Sequence, residues 1–217
     1  MTSQEVQDFI YKLGVVPVVA IDSADAAIPF ADALIAGGLP LAEITFRTKA
    51  AADVMRTLRD ERPDVLVGAG TVLTVDHVYL AKECGAKFAV APGFNPEVVK
   101  AAMEIGLPFA PGIMTPSDVE GALAMGLKFM KFFPAGDAGG PKMLKSLSGP
   151  YAHTGVKFMP TGGVTVANLC DYLAIPTVLA VGGTWIAKSD AIAAGDWSGI
   201  AENCRAALKT IADAGLR

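Results

Sequence analysis

The chain has 217 residues, of which 52% are hydrophobic and 18% are charged, and its formal net charge at pH 7 is −4. This length and apolar content suffice for one large core, and the negative charge with scattered basic residues argues against a nucleic-acid partner, which would need clustered lysines and arginines. No apolar run reaches the roughly 20 residues of a membrane span, and the polar, acidic N-terminus is unlike a secretory signal, so no membrane partner is expected.

In chain order, an amphipathic stretch, Gln4–Leu13, predicts a helix ahead of the first strand. Eight apolar runs then have the length of buried strands. These runs are Val15–Ile21, Leu41–Phe46, Val65–Ala69, Lys87–Ala91, Pro108–Ala110, Leu127–Phe133, Val156–Pro160 and Val178–Val181. Amphipathic stretches between and after the runs predict further helices. These are Ala24–Ala36, Ala50–Arg59, Val75–Cys84, Pro96–Met103, Ser117–Ala124, Val166–Leu173 and Trp197–Ala214.

Continuous apolar strands that alternate with helices are typical of a parallel sheet covered by helices. Breaks rich in Gly, Pro and Thr follow strands three to eight at about the spacing of one βα unit, and no composition shift or linker divides the chain. The pattern therefore predicts an α/β fold with one domain over residues 1–217. We expect a (β/α)8 TIM barrel with an additional N-terminal helix rather than an open doubly wound sheet. In such barrels the reacting groups lie at the carboxyl ends of the strands.

Lys131 stands in the sixth apolar run, where a charged side chain is costly. Side chains of a strand alternate between its two faces, so Phe129, Lys131 and Phe133 share one side. An ammonium between two phenylalanines must be paired or must lose its proton, and a neutral lysine is the amine that forms a Schiff base with a carbonyl. The alternative is a lysine whose ammonium reaches solvent at the strand end. Lys128, on the opposite face, is interpreted as an ordinary exposed lysine.

The second run carries two charged residues on one face. Alternation places Glu43, Thr45 and Arg47 together, opposite Ile44 and Phe46. A buried glutamate must be paired with a cation or take part in the reaction. Glu43 is therefore either a structural ion-pair partner or a general acid/base beside the lysine. Arg47 at the strand end suits a carboxylate, which a guanidinium binds with two parallel hydrogen bonds. The alternative for Arg47 is a surface contact with a helix cap.

Two glycine pairs lie in the last two breaks, Gly162-Gly163 and Gly182-Gly183. Paired glycines let backbone N–H groups approach an anion, and the loops after strands seven and eight are the usual phosphate site of this barrel. They therefore predict a phosphate site, with tight-turn glycines as the alternative. Thr71 and Thr161 also end their strands, where a hydroxyl can reach a substrate.

Neither histidines nor cysteines show metal-ligand spacing. His77 and His153 have no partner in an HxH or HExxH pattern, so no metal is expected. Cys84, Cys170 and Cys204 are widely spaced without a CxxC motif, which indicates inert thiols rather than zinc or disulfides and favours a reducing cytoplasm. Carbon–carbon lyases activate a carbonyl with a metal or with a lysine imine, and the sequence offers only the lysine.

The whole chain closely resembles the 2-dehydro-3-deoxy-6-phosphogluconate (KDPG) aldolases, a family that also includes 4-hydroxy-2-oxoglutarate (KHG) aldolases. Ordered motifs carry the resemblance. They are Val16-Pro-Val-Val-Ala20, Ala36-Gly-Gly38, Ala42-Glu-Ile-Thr-Phe-Arg-Thr48, Gly68-Ala-Gly-Thr-Val72, Ala91-Pro-Gly-Phe-Asn95, Pro111-Gly-Ile-Met-Thr-Pro116, Lys131-Phe-Phe-Pro-Ala135, Pro160-Thr-Gly-Gly-Val164 and Val181-Gly-Gly-Thr-Trp185.

The resemblance implies a cytoplasmic class I aldolase of the Entner-Doudoroff pathway, usually a homotrimer, without metal or organic cofactor. It implies that Lys131 is the Schiff-base lysine and Glu43 the general acid/base. The remaining implied roles are carboxylate binding by Arg47 and Thr71, pocket lining by Pro92, Phe133 and Thr161, and phosphate binding by Gly162, Gly163, Gly183 and Thr184. Thr184 stands where a serine is common in the family, which keeps the hydroxyl but adds a methyl group.

The resulting hypothesis is reversible cleavage of KDPG, a phosphorylated 2-oxo acid, to pyruvate and glyceraldehyde 3-phosphate through an imine on Lys131. The main alternative is KHG as principal substrate, which has little need of the phosphate loops. A phosphogalactonate aldolase is disfavoured because its second strand differs. Two further alternatives are a phosphate-binding barrel that works without covalent catalysis and a non-enzymatic binding module.

Overall fold

A computed structural model describes all 217 residues and has nine β-strands and ten α-helices. The strands are β1 Val15–Val19, β2 Leu41–Thr45, β3 Leu66–Gly70, β4 Phe88–Val90, β5 Phe109–Ala110, β6 Gly112–Ile113, β7 Phe129–Phe132, β8 Lys157–Pro160 and β9 Val181–Gly183. The helices are α1 Ser3–Leu13, α2 Ala27–Ala36, α3 Ala51–Glu61, α4 Val75–Glu83, α5 Pro96–Glu104, α6 Pro116–Ala124, α7 Gly140–Ser148, α8 Leu169–Leu173, α9 Ser189–Ala193 and α10 Trp197–Asp213.

The prediction of a closed eight-stranded TIM barrel is wrong. The strands form a six-stranded parallel half-barrel sheet in the order β5-β4-β3-β2-β1-β9 and a separate three-stranded sheet, β6-β7-β8. The predicted fifth strand, Pro108–Ala110, corresponds to β5 and ends before Pro111, which has no N–H to continue a ladder. An additional strand, β6, follows Pro111 and belongs to the other sheet. Between β8 and β9 only isolated bridges occur, at Phe158–Val178 and Thr161–Gly182.

The helices follow the predicted alternation, including the additional one at the N-terminus. In α1 the side chain of Thr2 accepts from the Glu5 amide, the Glu5 carboxylate accepts from the Thr2 amide, and Gly14 ends the helix with a φ of 72°. Two helices were not predicted: α7, which begins at Gly140, and the one-turn α9. None of the ten helices combines the length and apolar character that a membrane crossing requires.

Apolar side chains fill both faces of the strands. A cluster of 56 buried residues lies between the sheets and the helices, and a second cluster of 12 lies on the other face. The second cluster includes Leu41 of β2 and Phe129 of β7, against which α1 contributes Val6 and Ile10. Side chains two positions apart lie on the same face of a strand. Two positions further along β2 and β7, toward their carboxyl ends, the residues on this face are charged rather than apolar. The fold therefore places a polar layer directly above an apolar one.

Candidate active site

Lys131 and Glu43 form a buried ion pair in this polar layer. The Lys131 Nζ lies 3.2 Å from the Glu43 Oε1, and the two residues are only 5% and 0% exposed. Lys131 therefore does not reach solvent as an ordinary strand-end lysine would. The second carboxylate oxygen of Glu43, Oε2, is buried without a hydrogen-bond partner. A buried carboxylate oxygen normally accepts a hydrogen bond, so Oε2 is available to a substrate hydroxyl or a water molecule.

The strands hold the lysine rigidly between two neighbours. Lys131 is in register with Gly112 of β6 and Met159 of β8, and its amide donates to the Pro111 carbonyl at 2.8 Å. The ring centroid of Phe133 lies 5.5 Å from the Lys131 Nζ, within the range of a cation–π contact. Lys131, one residue before the end of β7, thus has its backbone fixed by both neighbouring strands, and its amine contacts Glu43 and Phe133.

Glycines on neighbouring strands leave the space that the pair and its surroundings occupy. A Cβ built on Gly70 would lie 2.7 Å from the Glu43 Cγ, and one on Gly112 would meet the carbonyl of Pro92. Real Cβ atoms do not approach other atoms so closely. The backbone of Pro92, expected in the pocket, therefore lies against the strand that pairs with β7 at Lys131.

Arg47 lies two residues beyond the end of β2, and its side chain is exposed. Its Nε donates to the Thr45 Oγ1 at 3.1 Å, and the guanidinium makes no ion pair with a protein carboxylate. Its two terminal nitrogens therefore remain free for an anion. Thr71 directly follows β3 and has a φ of 57°, a conformation that threonine rarely adopts and that often marks a functional site.

The first glycine pair lies in the loop after β8, and the second, Gly182-Gly183, forms the end of β9. Gly162 and Gly163 have φ values of 89° and 74°, and a Cβ on Gly163 would lie 3.0 Å from the Gly136 Cα. These conformations and close approaches require glycine. Gly183 ends β9 and is followed by the exposed Thr184. The buried Thr161 is bridged to Gly182, which brings the loops after β8 and β9 together.

The structure thus brings Lys131, Glu43 and Phe133 into one contact group, and the backbone of Pro92, in the loop after β4, lies against Gly112 of the neighbouring strand β6. Arg47, Thr71, Thr161 and the glycine pairs lie at the carboxyl ends of the strands and make no hydrogen bond to the Lys131 amine. Two neighbours of the site were assigned no role from the sequence, Thr45 and Gly70. Alternation had placed Thr45 on the face of Glu43, but its hydrogen-bond partners depend on the neighbouring strand.

A family model described as "KDPG and KHG aldolase" matches residues 6–203 of the chain. The 2-dehydro-3-deoxy-phosphogluconate aldolase of Haemophilus influenzae is 47% identical over 97% of this chain and 98% of its own length. The KHG/KDPG aldolase of Escherichia coli K12 is 43% identical over 90% and 91%. A solved KDPG aldolase of Legionella pneumophila, with pyruvate captured as a covalent carbinolamine, is 40% identical with a TM-score of 0.88, covering 92% of this chain and 96% of that one.

Proposed function

The chain belongs to the KDPG and KHG aldolase family, and on that premise we propose that it is a Schiff-base aldolase that cleaves KDPG to pyruvate and glyceraldehyde 3-phosphate. The single observation that carries the proposal is the buried pair of Lys131 and Glu43, an amine and a carboxylate at hydrogen-bond distance at the carboxyl ends of the strands. The carbinolamine captured in the Legionella relative supports covalent attachment of pyruvate to a protein amine.

The pair accounts for each proton transfer that an imine mechanism needs. Glu43 accepts a proton from Lys131, and the neutral amine attacks the C2 ketone to form a carbinolamine. Glu43 then protonates the departing hydroxyl, which leaves as water and gives the iminium. Removal of the C4 hydroxyl proton by Glu43 breaks the C3–C4 bond, so the bonding electrons flow into the iminium and glyceraldehyde 3-phosphate departs. Glu43, protonated in that step, returns the proton to C3 of the enamine, and hydrolysis of the resulting iminium releases pyruvate and Lys131.

Arg47 and Thr71 suit the carboxylate end of the substrate in this proposal. The free terminal nitrogens of Arg47 offer two parallel N–H donors, the geometry that a carboxylate accepts best. The phosphate end of KDPG is assigned to Gly162, Gly163, Gly183 and Thr184, because backbone amides of glycines at strand ends and a hydroxyl are suitable donors for phosphate oxygens. Thr161, Phe133 and the backbone of Pro92 complete the pocket.

KHG as the main substrate is not favoured. Relatives from Haemophilus influenzae and Treponema pallidum, both 47% identical, are named for KDPG alone. A substrate without phosphate would also leave the glycine loops after β8 and β9 without a role.

We also propose a homotrimer in the cytoplasm, serving the Entner-Doudoroff pathway. Support for self-association comes from large apolar side chains that are 44–50% exposed on loops and outer helices, namely Leu73, Tyr79, Met103 and Met114. Support for a reducing compartment comes from the three cysteines, all of which are free. Light scattering tests the trimer, which should have three times the chain mass of 22.4 kDa.

A coupled assay tests the proposed reaction. The purified protein should release pyruvate and glyceraldehyde 3-phosphate from KDPG in equal amounts, measured with lactate dehydrogenase and glyceraldehyde-3-phosphate dehydrogenase. Lys131→Met should lower kcat about a thousandfold or more, because it removes the amine that forms the imine beside Glu43. The exposed Lys128 is the matched control, and Lys128→Met should keep activity. Turnover that survives in Lys131→Met would instead support non-covalent chemistry.

A further inference from the structure

We infer that Thr45 is a positioning residue that fixes the guanidinium of Arg47 for the substrate carboxylate. The inference rests on the proposed function, in which Arg47 binds that carboxylate. Thr45 is only 1% exposed, yet its hydroxyl makes two hydrogen bonds, one to the Val19 carbonyl at 2.8 Å and one from the Arg47 Nε at 3.1 Å.

The chemistry of these partners fixes the direction of each hydrogen bond. A carbonyl oxygen only accepts, so the Thr45 hydroxyl must donate its single proton to Val19. Its lone pairs are then the only groups left for Arg47, and a guanidinium only donates. The result is a chain from the Arg47 Nε through the Thr45 Oγ1 to the Val19 carbonyl, in which no partner has an alternative orientation.

This chain selects which edge of the guanidinium faces the substrate. Because the Nε is held by Thr45, the four N–H groups of the two terminal nitrogens are left to form the fork that grips a carboxylate. The backbone adds a second constraint, since the Arg47 amide donates to the Thr45 carbonyl at 2.7 Å. An exposed arginine without these hydrogen bonds would lose side-chain entropy when it binds the carboxylate, and this loss would weaken binding.

The hydroxyl of Thr45 is not needed to hold β1 against β2. The two strands already pair in parallel at Val18–Glu43 and Val19–Ile44. Thr48, three residues further along, makes a similar hydrogen bond. Its Oγ1 donates at 2.6 Å to the carbonyl of Ile21, which lies just after β1. Thr48 makes no hydrogen bond with the Arg47 guanidinium. Thr48→Val is therefore a matched control, because it removes a similar hydrogen bond without affecting Arg47.

The test compares Thr45→Val, which has the same shape without the hydroxyl, with Thr45→Ser, which keeps it. Each variant is reduced with borohydride over a range of concentrations of pyruvate or of methyl pyruvate, whose ester has no carboxylate charge. For Thr45→Val the half-saturating pyruvate concentration should rise about tenfold, the loss expected for a hydrogen bond that orients a charged group. Half-saturation by methyl pyruvate should not change. Thr45→Ser and Thr48→Val should both behave as wild type with both compounds.

Two outcomes overturn the inference. One is a Thr45→Val variant with wild-type half-saturation for pyruvate, and the other is an equal loss for pyruvate and methyl pyruvate, which indicates a general structural defect. Arg47→Ala separates failure of the inference from failure of the assigned carboxylate site. If Arg47→Ala weakens pyruvate but Thr45→Val does not, only the positioning role is wrong. If Arg47→Ala has no effect, the assigned role of Arg47 is wrong as well.

Discussion

The Lys131 Nζ and the Glu43 Oε1 lie 3.2 Å apart, although the two residues are separated by 88 positions in the chain. They stand on β7 and β2, which belong to different sheets. Both side chains are buried, so each charge depends on the other for compensation. The proposed catalytic pair is thus also a stability element, and this dependence can be measured without substrate.

Lys131→Met should lower the free energy of unfolding by about 3 kcal/mol, because it leaves the Glu43 carboxylate buried without a partner. Adding Glu43→Gln to that variant removes the unpaired charge and should recover at least about half of the loss. Urea unfolding of the wild type, both single variants and the double variant measures the coupling. A double variant no more stable than Lys131→Met would show that the two charges do not compensate each other.

Gly70→Ala should reduce kcat at least about tenfold and destabilise the fold by about 1–3 kcal/mol, since the added methyl group displaces the Glu43 side chain. Gly149→Ala is the control, because a Cβ there meets nothing within 4 Å. Steady-state kinetics with KDPG and thermal unfolding give the two readouts. Unchanged kcat in Gly70→Ala would mean that Glu43 can move without consequence for the reaction.

Gly163→Ala should raise the KM for KDPG about tenfold while leaving pyruvate trapping on Lys131 unchanged, because the substitution disturbs only the proposed phosphate loop. Gly106→Ala is matched for backbone strain. Its φ is 61°, compared with 74° at Gly163, but its Cβ would meet no atom within 4 Å. The control should lose stability similarly and keep its KM. An equal rise of KM in both variants would assign the effect to strain alone.

The cysteines should react slowly with iodoacetamide at pH 8 in the folded protein. Burial raises the pKa of the Cys204 thiol to about 12, so almost none of the reactive thiolate is present. Burial also raises the pKa of Cys84, whereas Cys170 is less buried and should be modified first. Peptide mapping with and without urea measures the order. Rapid modification of native Cys204 would contradict its placement in the core.

The charged residues of the site were predictable because a charged side chain within a buried strand is rare and needs a partner or a function. Glu43 and Lys131 each follow an apolar residue on the same strand face, Leu41 and Phe129, so a period of two identifies both. Their contact across two sheets could be inferred only from a fold that brings the strand ends together. The structure confirms their proximity, whereas their chemical roles remain a proposal.

Other features had no adequate signal in the sequence. The additional strand β6 after Pro111 pairs with a different sheet from β5, and an apolar run does not specify hydrogen-bond partners. Helix α7 begins at Gly140. Gly139 and Gly140 favour a turn, whereas Pro141 is common both in turns and in the first turn of a helix, so the segment did not distinguish the two. The contribution of Gly70 is empty space for Glu43, and that of Thr45 depends on a carbonyl of the adjacent strand.

Borohydride reduction in the presence of pyruvate tests the central proposal most directly. Peptide mass mapping should find one pyruvate-derived adduct, on Lys131, and none on the exposed control Lys128. Lys131→Met should abolish trapping even if it remains folded. Absence of an adduct from active wild-type protein, or an adduct on a different lysine, would contradict the assignment of Lys131 as the Schiff-base residue.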